Sequence, residues 1–347
     1  MLSQFNHSST IKIVHMKHFT TVNDVKDVEL LVQEAIALKK DPLQFSTLGK
    51  NKTLGLIFMN PSLRTRMSTQ KAALNLGMNV MVMNVDKDSW ALELEDGAVM
   101  NGTTVEHVKD AAAVMGQYCD IIGIRCFPAL KDRESDYSEK VLIRFMKYCK
   151  IPVISLESGT LHPLQSFADL ITIRENWKSP SKPKVVLTWA PHIKPLPQAV
   201  ANSFAEWMNH ANVEFVITHP EGFELKEDYT KGAKIIHAQE QALKNADFVY
   251  VKNWSSYNDY GKISTDAGWM LTNEKLRVSN NAKVMHCLPV RRNVELSDEV
   301  LDGSNSFTLQ QANNRLYAAQ AVLKNMLESN FNFVKAGERT NEETVHH

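Results

Sequence analysis

Short apolar runs alternate with amphipathic stretches along most of the chain. Runs rich in Val, Ile and Leu predict buried parallel strands, and apolar residues recurring every three to four positions between them predict helices. The predicted strands occupy residues 53–59, 79–84, 120–125, 152–156, 184–189, 213–218, 247–252 and 283–286. The predicted helices cover residues 104–117, 137–149, 164–177 and 197–211. This alternation predicts an α/β protein with two domains, each a parallel β-sheet flanked by helices.

The predicted strands form two groups of four, and the chain between the groups sets the domain boundary. We expect a first domain at residues 16–163 and a second at 164–308, with the Pro- and Lys-rich segment 179–184 as a loop before the second sheet. The helical pattern at 309–328 predicts a C-terminal helix within residues 309–330 that closes the fold by packing back on the first domain.

The two ends of the chain fall outside this pattern. Residues 331–347 are polar, and we expect them to fray. Residues 1–15 lack the charged start and long apolar stretch of a signal peptide, and Met16 opens a segment that resembles a natural start. We therefore interpret residues 1–15 as a leader or vector-derived segment.

Composition excludes several classes of function. The chain has 347 residues with 39 Lys and Arg against 39 Asp and Glu, so no net charge attracts it to nucleic acid or to an anionic membrane. No apolar run approaches the roughly 20 residues of a membrane span. The four cysteines form no CxxC pair, which favours reduced thiols in a cytoplasmic protein. Neither GxGxxG nor GxxxxGK[ST] is present, and the twelve histidines lack metal-ligand spacing, so we expect no metal or organic cofactor.

The first segment with chemical meaning is the stretch from Phe58 to Arg66, FMNPSLRTR. A predicted strand ends, Pro61 interrupts it, and Ser62 lies where a helix would begin. Hydroxyls, backbone N–H groups and two arginines then converge on one helix N-terminus, which is a typical anion site. Taken alone, the segment fits an ordinary helix cap with two surface arginines equally well.

Three later segments distinguish these interpretations. SLRTR resembles the phosphate-binding STRTR motif of the aspartate/ornithine carbamoyltransferase family. His162-Pro163-Leu164-Gln165 resembles the HPxQ motif of that family, His286-Cys287-Leu288-Pro289 resembles the HCLP motif of its ornithine branch, and Arg315 follows in the position of a late arginine. The four matches occur in family order between about residues 45 and 325, and the resemblance implies a carbamoyltransferase.

The resemblance implies a carbamoyl phosphate site and a role for each member. It implies that Arg125, His162 and Cys287 are the catalytic residues and that the phosphate and carbamoyl ends contact Ser62, Leu63, Arg64, Thr65, Trp90, Arg125, His162, Gln165, Cys287, Leu288 and Arg315. In the family, the loop that carries Trp90 reaches into a neighbouring subunit. We therefore expect a homotrimer with active sites shared between subunits.

The acceptor is expected to be an ornithine whose α-nitrogen is acylated. Ornithine enzymes place an aspartate two residues before a tryptophan to bind the free α-ammonium; here Lys252 precedes Trp254 at that spacing. A cation there would repel an ammonium. The segment 188–195 and the pair Arg291-Arg292 resemble N-acetylornithine and N-succinylornithine carbamoyltransferases, which implies an acceptor pocket formed by Glu157, His192, Lys252, Arg291 and Val105.

Val105 separates the two acylated substrates. N-acetylornithine enzymes carry a glutamate at this position and N-succinylornithine enzymes a proline, and we expect residues 102–107 to open a helix that faces the site. The absence of a negative charge favours the succinyl carboxylate. We therefore expect carbamoyl transfer to N-succinylornithine in arginine biosynthesis. The alternatives are N-acetylornithine, less favourably ornithine or aspartate, and a non-catalytic phosphometabolite sensor.

Overall fold

The structure, a computed structural model, describes residues 16–342, with the backbone alone at Asp86 and at residues 330–342. Its strands are β1 (Thr53–Phe58), β2 (Asn79–Asn84), β3 (Leu92–Glu93), β4 (Glu106–His107), β5 (Ile121–Arg125), β6 (Val153–Glu157), β7 (Lys184–Trp189), β8 (Glu214–Thr218), β9 (Lys234–Ile235), β10 (Phe248–Lys252) and β11 (Lys283–Met285). The interpretation of residues 1–15 as a leader lies outside the described residues.

The helices lie before, between and after these strands. They are α1 (Val28–Lys40), α2 (Arg64–Asn75), α3 (Val85–Asp88), α4 (Val108–Tyr118), α5 (Arg133–Tyr137), α6 (Lys140–Tyr148), α7 (Pro163–Asn176), α8 (Ala199–His210), α9 (Glu227–Thr230), α10 (Gln239–Leu243), α11 (Asn273–Leu276), α12 (Asp298–Leu301) and α13 (Thr308–Glu342). Helices therefore accompany both groups of strands, and the α/β class is confirmed.

Two separate parallel sheets carry the fold. The first has the strand order β2-β1-β5-β6, and the second has the order β11-β10-β7-β8-β9. In each sheet, the chain adds strands first on one side of its starting strand and then on the other. This switch in strand order lies between β1 and β5 in the first sheet and between β7 and β10 in the second. The carboxyl ends of strands at such a switch leave a crevice in which α/β proteins bind ligands.

The central strands are apolar because both of their faces are covered. Every residue of β5, β6 and β10 is buried, as expected for parallel strands with helices on both faces. Helix α7 is buried along residues 163–173, and the long helix α13 packs against α1, α2 and α7. One apolar core that includes Phe167 and Trp207 therefore continues from the first sheet to the second.

Some predicted elements are wrong in their limits. The helical pattern at 104–117 starts only at Val108, because Glu106 and His107 pair with Leu92 and Glu93 in a two-stranded ribbon. The stretch 137–149 is divided by Glu139, whose φ of 51° ends helical geometry before α6. Helix α13 extends to Glu342, past the predicted limit at residue 330, and the fraying of the tail stays a prediction. The domain boundary at 163/164 stays a prediction.

Candidate functional site

The carboxyl ends of the two sheets face one cavity of about 720 Å³. Its lining includes all predicted site residues except Trp90 and Val105, namely Ser62, Leu63, Arg64, Thr65, Arg125, Glu157, His162, Gln165, His192, Lys252, Cys287, Leu288, Arg291 and Arg315. Residues more than 250 positions apart in sequence therefore meet because the strand order of each sheet opens a crevice at the same edge.

One wall of the cavity is the start of α2. The chain leaves β1 and turns at Pro61, and the hydroxyl of Ser62 accepts a hydrogen bond from the backbone N–H of Thr65 at 3.3 Å. The first N–H groups of a helix have no partners within the helix, and the helix dipole favours an anion there. Arg64, the first residue of α2, adds a guanidinium whose pKa is lowered by burial. This wall therefore suits an anion such as a phosphate.

Thr65 lies between two arginines from distant parts of the chain. Its Oγ1 accepts from Nη1 of Arg125 at 3.1 Å and from Nη2 of Arg315 at 2.6 Å. Because a hydroxyl has two acceptor sites and one hydrogen, both of its acceptor sites are in use. The remaining O–H can therefore donate to a ligand in the cavity.

A chain of buried groups fixes the orientation of Gln165. Its Oε1 accepts from Nη1 of Arg315 at 2.8 Å, and its Nε2 donates to Oδ1 of Asp169 at 2.7 Å. Gln311 donates to the same Asp169 oxygen at 2.7 Å. Burial lowers the pKa of Arg315 to about 10 and raises the pKa of Asp169 to about 7. Arg315 therefore stays charged at neutral pH, whereas Asp169 titrates near neutral pH.

His162 is a neutral group in a cationic setting. Burial lowers the pKa of His162 well below its usual value, and the nearby Arg315 and Arg125 lower it further. Its Nε2 lies 3.5 Å from Oε2 of Glu157, and the same oxygen lies 3.2 Å from Nη2 of Arg125. Burial raises the pKa of Glu157 against the opposing effect of Arg125. The ion pair of Glu157 is therefore with Arg125, and the imidazole contacts it uncharged.

The segment after β11 forms the opposite wall. Leu288 donates its backbone N–H to Nδ1 of His286 at 2.9 Å, and Nε2 of His286 lies 3.2 Å from Oε1 of Glu295. The other Glu295 oxygen accepts from the backbone N–H of Arg291 at 2.8 Å. Burial raises the pKa of the Cys287 thiol, and a protonated thiol is a poor nucleophile. Cys287 is therefore suited to contacting a ligand and not to attacking it.

The third side of the cavity comes from the second sheet. Nε of Arg291 donates to Nε2 of His192 at 3.1 Å, and burial lowers the pKa of His192. Lys252 ends β10, and its side chain makes no hydrogen bond or ion pair within residues 16–342 whose side chains are described. It is only 7% exposed. A buried ammonium without a protein partner is costly unless a ligand supplies the negative charge.

The cavity is strongly cationic. Its lining has the five cations Arg64, Arg125, Lys252, Arg291 and Arg315 and the single carboxylate Glu157. Such a concave cationic site concentrates anions. It suits ligands that together carry a phosphate and one or more carboxylates.

Trp90 and Val105 lie elsewhere, on the ribbon of β3 and β4. The backbone N–H of Val105 donates to the carbonyl of Ala91 at 3.0 Å, and Nε1 of Trp90 donates to Oε2 of Glu106 at 2.7 Å. Trp90 is 50% exposed and Val105 is 63% exposed. The expectation that residues 102–107 open a helix is wrong, because Glu106 and His107 pair with Leu92 and Glu93 and α4 begins only at Val108. That residue 105 faces the site stays a prediction.

Several lining residues were not anticipated. Phe127 lies beneath the guanidinium of Arg125 at 4.4 Å from its ring centroid. The remaining ones are apolar. Pro61, Leu196, Pro197, Pro289 and Val290 come from proline-containing turns, and Val200 lies in the first turn of α8. The prolines near 195–197 signalled a turn, but no sequence pattern showed that this turn faces the cavity. Asp169 could have been found, because it lies one helical turn after Gln165.

The described part of the chain offers neither a metal site nor a membrane span. Residues 16–342 contain no group of three or more His, Cys, Asp or Glu side chains placed to hold a metal ion. Over the same residues, no helix combines the length and the apolar character needed to cross a membrane.

Comparison with known proteins identifies the chain's relatives. Residues 17–175 match the carbamoyl phosphate-binding domain of aspartate/ornithine carbamoyltransferases, and residues 197–326 match the Asp/Orn-binding domain. The N-succinylornithine carbamoyltransferase of Bacteroides thetaiotaomicron is 52% identical over 316 residues, which cover 90% of this chain and 99% of that protein. The N-acetylornithine carbamoyltransferase of Xanthomonas campestris is 34% identical over 89% of this chain and 97% of its own.

A solved structure agrees with these relatives. It is a glutamate-to-valine mutant of N-acetyl-L-ornithine transcarbamylase complexed with carbamyl phosphate and N-succinyl-L-norvaline. It is 33% identical, covers 89% of this chain and 99% of its own, and superposes with a TM-score of 0.85. The two domain matches and these relatives show that the chain is a member of the aspartate/ornithine carbamoyltransferase family.

Proposed function

We propose that this carbamoyltransferase transfers the carbamoyl group of carbamoyl phosphate to the side-chain amine of N-succinylornithine. The products are N-succinylcitrulline and phosphate, and the reaction belongs to arginine biosynthesis. The observation that carries the proposal is the division of the cavity. A phosphate-binding helix start with Arg125, His162 and Arg315 lies on one side, and the cations Lys252 and Arg291 lie on the other.

Carbamoyl phosphate occupies the first side. The N–H groups at the start of α2, with Ser62 and Arg64, bind the phosphate, and the domain at residues 16–163 is its binding domain. Thr65 and Arg125 donate to the carbamoyl oxygen, whose negative charge grows during the reaction. Gln165, whose Oε1 is aimed by Arg315, and the carbonyls of residues 287 and 288 accept from the carbamoyl NH₂. Trp90 of a neighbouring subunit completes this site.

The reaction needs only positioning and charge stabilisation. The neutral side-chain amine attacks the carbamoyl carbon, the bond from that carbon to the phosphate oxygen breaks, and phosphate leaves with the electron pair. In the net reaction the amine nitrogen loses one proton and the released phosphate gains one. A free alkylamine has a pKa near ~10.4, so the cationic cavity helps by disfavouring its ammonium form. Neutral His162 presents an imidazole N–H to the carbamoyl oxygen without adding a charge.

The acceptor occupies the side formed by the domain at residues 164–308. Lys252 and Arg291 bind its carboxylates, and His192 holds the Arg291 guanidinium at 3.1 Å. A free ornithine would bring an α-ammonium toward Lys252, and Glu157 cannot neutralise it because it is paired with Arg125 at 3.2 Å. An acylated α-nitrogen has no charge, and a succinyl group adds a carboxylate for which the cavity has a cation.

The relatives favour succinyl over acetyl. The Bacteroides protein, at 52% identity, is named for N-succinylornithine, whereas the proteins named for N-acetylornithine are 34% identical or less. The glutamate-to-valine mutant of the acetylornithine enzyme was solved with a succinyl ligand. In this chain, Val105 stands where the family resemblance implies a glutamate in N-acetylornithine enzymes, and valine carries no negative charge.

The exposed ribbon supports a homotrimer. Trp90 and Val105 are joined to one another through β3 and β4, and the neighbouring Val99 and Met100 are 81% and 39% exposed. Apolar side chains clustered on one projecting ribbon indicate a surface that another chain covers. We place this ribbon over the cavity of the adjacent subunit, so that each active site uses residues from two chains. The enzyme is cytoplasmic and has neither a nucleic acid nor a membrane as a partner.

The test is product formation with defined amines. Carbamoyl phosphate is incubated with N-succinylornithine, N-acetylornithine, ornithine or aspartate, and mass spectrometry measures the carbamoylated product while a phosphate assay measures release. We expect equal amounts of N-succinylcitrulline and phosphate. A protein that binds carbamoyl phosphate but carbamoylates none of the four amines would be a sensor and would contradict the proposal. Sedimentation equilibrium giving three chains per particle tests the trimer.

A further inference from the structure

The loop between Glu157 and His162 is held by a side chain outside the cavity. Oε1 of Glu139 accepts from the hydroxyl of Ser158 at 2.6 Å and from the backbone N–H of Thr160 at 2.7 Å, and it also accepts from the Thr160 hydroxyl. Its Oε2 accepts from the glycine N–H between them at 3.3 Å. One carboxylate thus satisfies four donors of the loop that presents two predicted site residues.

A second loop, which follows Lys252 and belongs to the second sheet, is held from the same direction. Nε2 of Gln198 donates to the carbonyls of Ser255 at 2.7 Å and Ser256 at 3.1 Å. Oε1 of Gln198 accepts from the hydroxyl of Tyr137 at 3.1 Å. Because Tyr137 ends α5, a helix of the first half orients the amide that fixes the loop after Lys252.

The same helix contacts this second loop directly. Nη1 of Arg133 donates to the backbone carbonyl of Tyr257 at 3.0 Å, and the Arg133 guanidinium lies 4.7 Å from the centroid of the Tyr257 ring. The hydroxyl of Tyr260 donates to Oδ2 of Asp136 at 2.9 Å. The ring of Tyr137 packs edge-on against Tyr257 with centroids 5.1 Å apart.

Asn202 connects the two loops through one hydroxyl. Its Nδ2 donates to the hydroxyl oxygen of Tyr137 and to the carbonyl of Thr160, both at 3.2 Å. Asn202 is fully buried. Loss of the Tyr137 hydroxyl would therefore leave an acceptor on Gln198 and a donor on Asn202 with one fewer partner in a buried setting, where unpaired polar groups are costly.

We propose that residues 133–139 are a positioning element that couples the two substrate sides of the cavity. The element fixes the loop that presents Glu157 and His162 relative to the loop that follows Lys252. None of its residues lines the cavity, so it acts on the substrates only through these loops. The inference rests on the proposed function for the assignment of Lys252 to the acceptor.

The main test is Tyr137→Phe, with Tyr118→Phe as the matched control because Tyr118 is 66% exposed on α4. We expect Tyr137→Phe to raise KM for N-succinylornithine about tenfold, which is the effect of one weakened buried hydrogen bond. The affinity for carbamoyl phosphate should change less than about twofold, because the α2 wall is untouched. Hydrogen exchange should accelerate in residues 255–261 and stay unchanged in Tyr118→Phe.

A second pair of variants tests the other loop. Glu139→Gln should lower kcat. It replaces one acceptor oxygen of the carboxylate with an NH₂ group that cannot accept from the four donors of the loop, so the loop before His162 is held less firmly. Glu240→Gln, at an exposed position of α10 outside the element, should leave kcat unchanged. Both Gln variants should accept the same amine as the original protein.

The outcomes separate this inference from the proposed function. Exchange in residues 255–261 does not depend on which amine reacts, so unchanged exchange in Tyr137→Phe would overturn the positioning role whatever the substrate is. Equal losses for both substrates together with a lowered Tm would also overturn it, since they indicate a purely structural role. Failure of the original protein to carbamoylate any amine overturns the proposed function, and the exchange result still decides the inference.

Discussion

Lys252→Met separates binding from folding more sharply than any other change at this site. Methionine keeps the apolar stem and approximate length of the side chain and removes the ammonium. Lys252 is 7% exposed, ends β10 in the cavity wall and has no hydrogen-bonding partner among the described side chains. In the proposed complex, its partner is a carboxylate of the acyl-ornithine.

The expected loss of binding follows from that one contact. A hydrogen bond to a charged group contributes about 1.5–3 kcal/mol, which corresponds to about a 10- to 150-fold weaker affinity for the acceptor. Arg291 keeps its own charge but stays in place, because its Nε donates to Nε2 of His192 at 3.1 Å, so its guanidinium does not move to the position of the lost ammonium. Carbamoyl phosphate, bound on the opposite wall, should keep its affinity within about twofold.

The same change should affect the stability of the fold much less than it affects ligand binding. Removing a buried ammonium that has no protein hydrogen bond relieves a desolvation cost, although the Lys252 charge also favours the ionised forms of Glu295 and Glu157. These effects offset each other, so we expect Tm within about 3 °C of the original protein. The change therefore weakens ligand binding with little loss of stability.

The assay is calorimetry with N-succinyl-L-norvaline, which lacks the reactive amine, added to protein saturated with carbamoyl phosphate. Lys234→Met is the control, because Lys234 is an exposed lysine on β9. An unchanged Kd in Lys252→Met would refute the acceptor assignment. A Tm lowered by much more than a few degrees would instead show that Lys252 stabilises the fold.

Three further changes test other parts of the account. Val105→Glu places a carboxylate near the succinyl group, where like charges about 4 Å apart repel by about 4 kcal/mol at an effective dielectric constant of 20. A third of that energy corresponds to about a tenfold loss with N-succinylornithine, so the ratio of kcat/KM values for the two acceptors should shift toward N-acetylornithine. An unchanged ratio would show that residue 105 does not face the acyl group. Mixing inactive Trp90→Ala with inactive Arg125→Ala chains under conditions of subunit exchange should restore activity, and no recovery would rule out shared sites. Burial raises the pKa of Asp169 to about 7, so between about pH 4 and 7 the folded state holds a proton on Asp169 that the unfolded state has lost, and this group makes the free energy of unfolding fall as pH rises. In Asp169→Asn, the free energy of unfolding measured in urea should therefore fall less with rising pH than in the original protein. Parallel pH curves for the two proteins would exclude that titration.

The main strands were predictable because both of their faces are buried. The runs at β1, β5 and β10 are continuous apolar segments bounded by polar residues, and their observed limits lie within one residue of the predicted ones. The ribbon of β3 and β4 was not predictable, because its strands have two residues each and are held by pairing between residues 92–93 and 106–107. Local periodicity carries no information about such a contact, and the helix pattern beginning at 104 was misleading.

The site shows the same division. The motifs located the α2 wall, His162 and Arg315 because each stands in a distinctive local sequence, and the cavity brings them together. Glu139 acts on the loop before His162 from outside the cavity, through contacts such as the 2.7 Å bond from the backbone N–H of Thr160, and an acidic residue in a polar stretch of sequence gives no sign of this. Asp169, which accepts from Gln165 at 2.7 Å, was overlooked although it lies one helical turn after Gln165. The ribbon position of Val105 was missed because it depends on pairing with the distant segment 91–93, which the local sequence does not reveal.

The acceptor preference is the most direct measure of the central claim. With carbamoyl phosphate saturating, kcat/KM is measured for N-succinylornithine, N-acetylornithine and ornithine by the citrulline colour reaction. The cations Lys252 and Arg291 and the uncharged Val105 predict at least about a tenfold preference for N-succinylornithine over N-acetylornithine, with ornithine lowest. An equal or higher value for N-acetylornithine or ornithine would contradict the assignment of the succinyl carboxylate to this cationic side of the cavity.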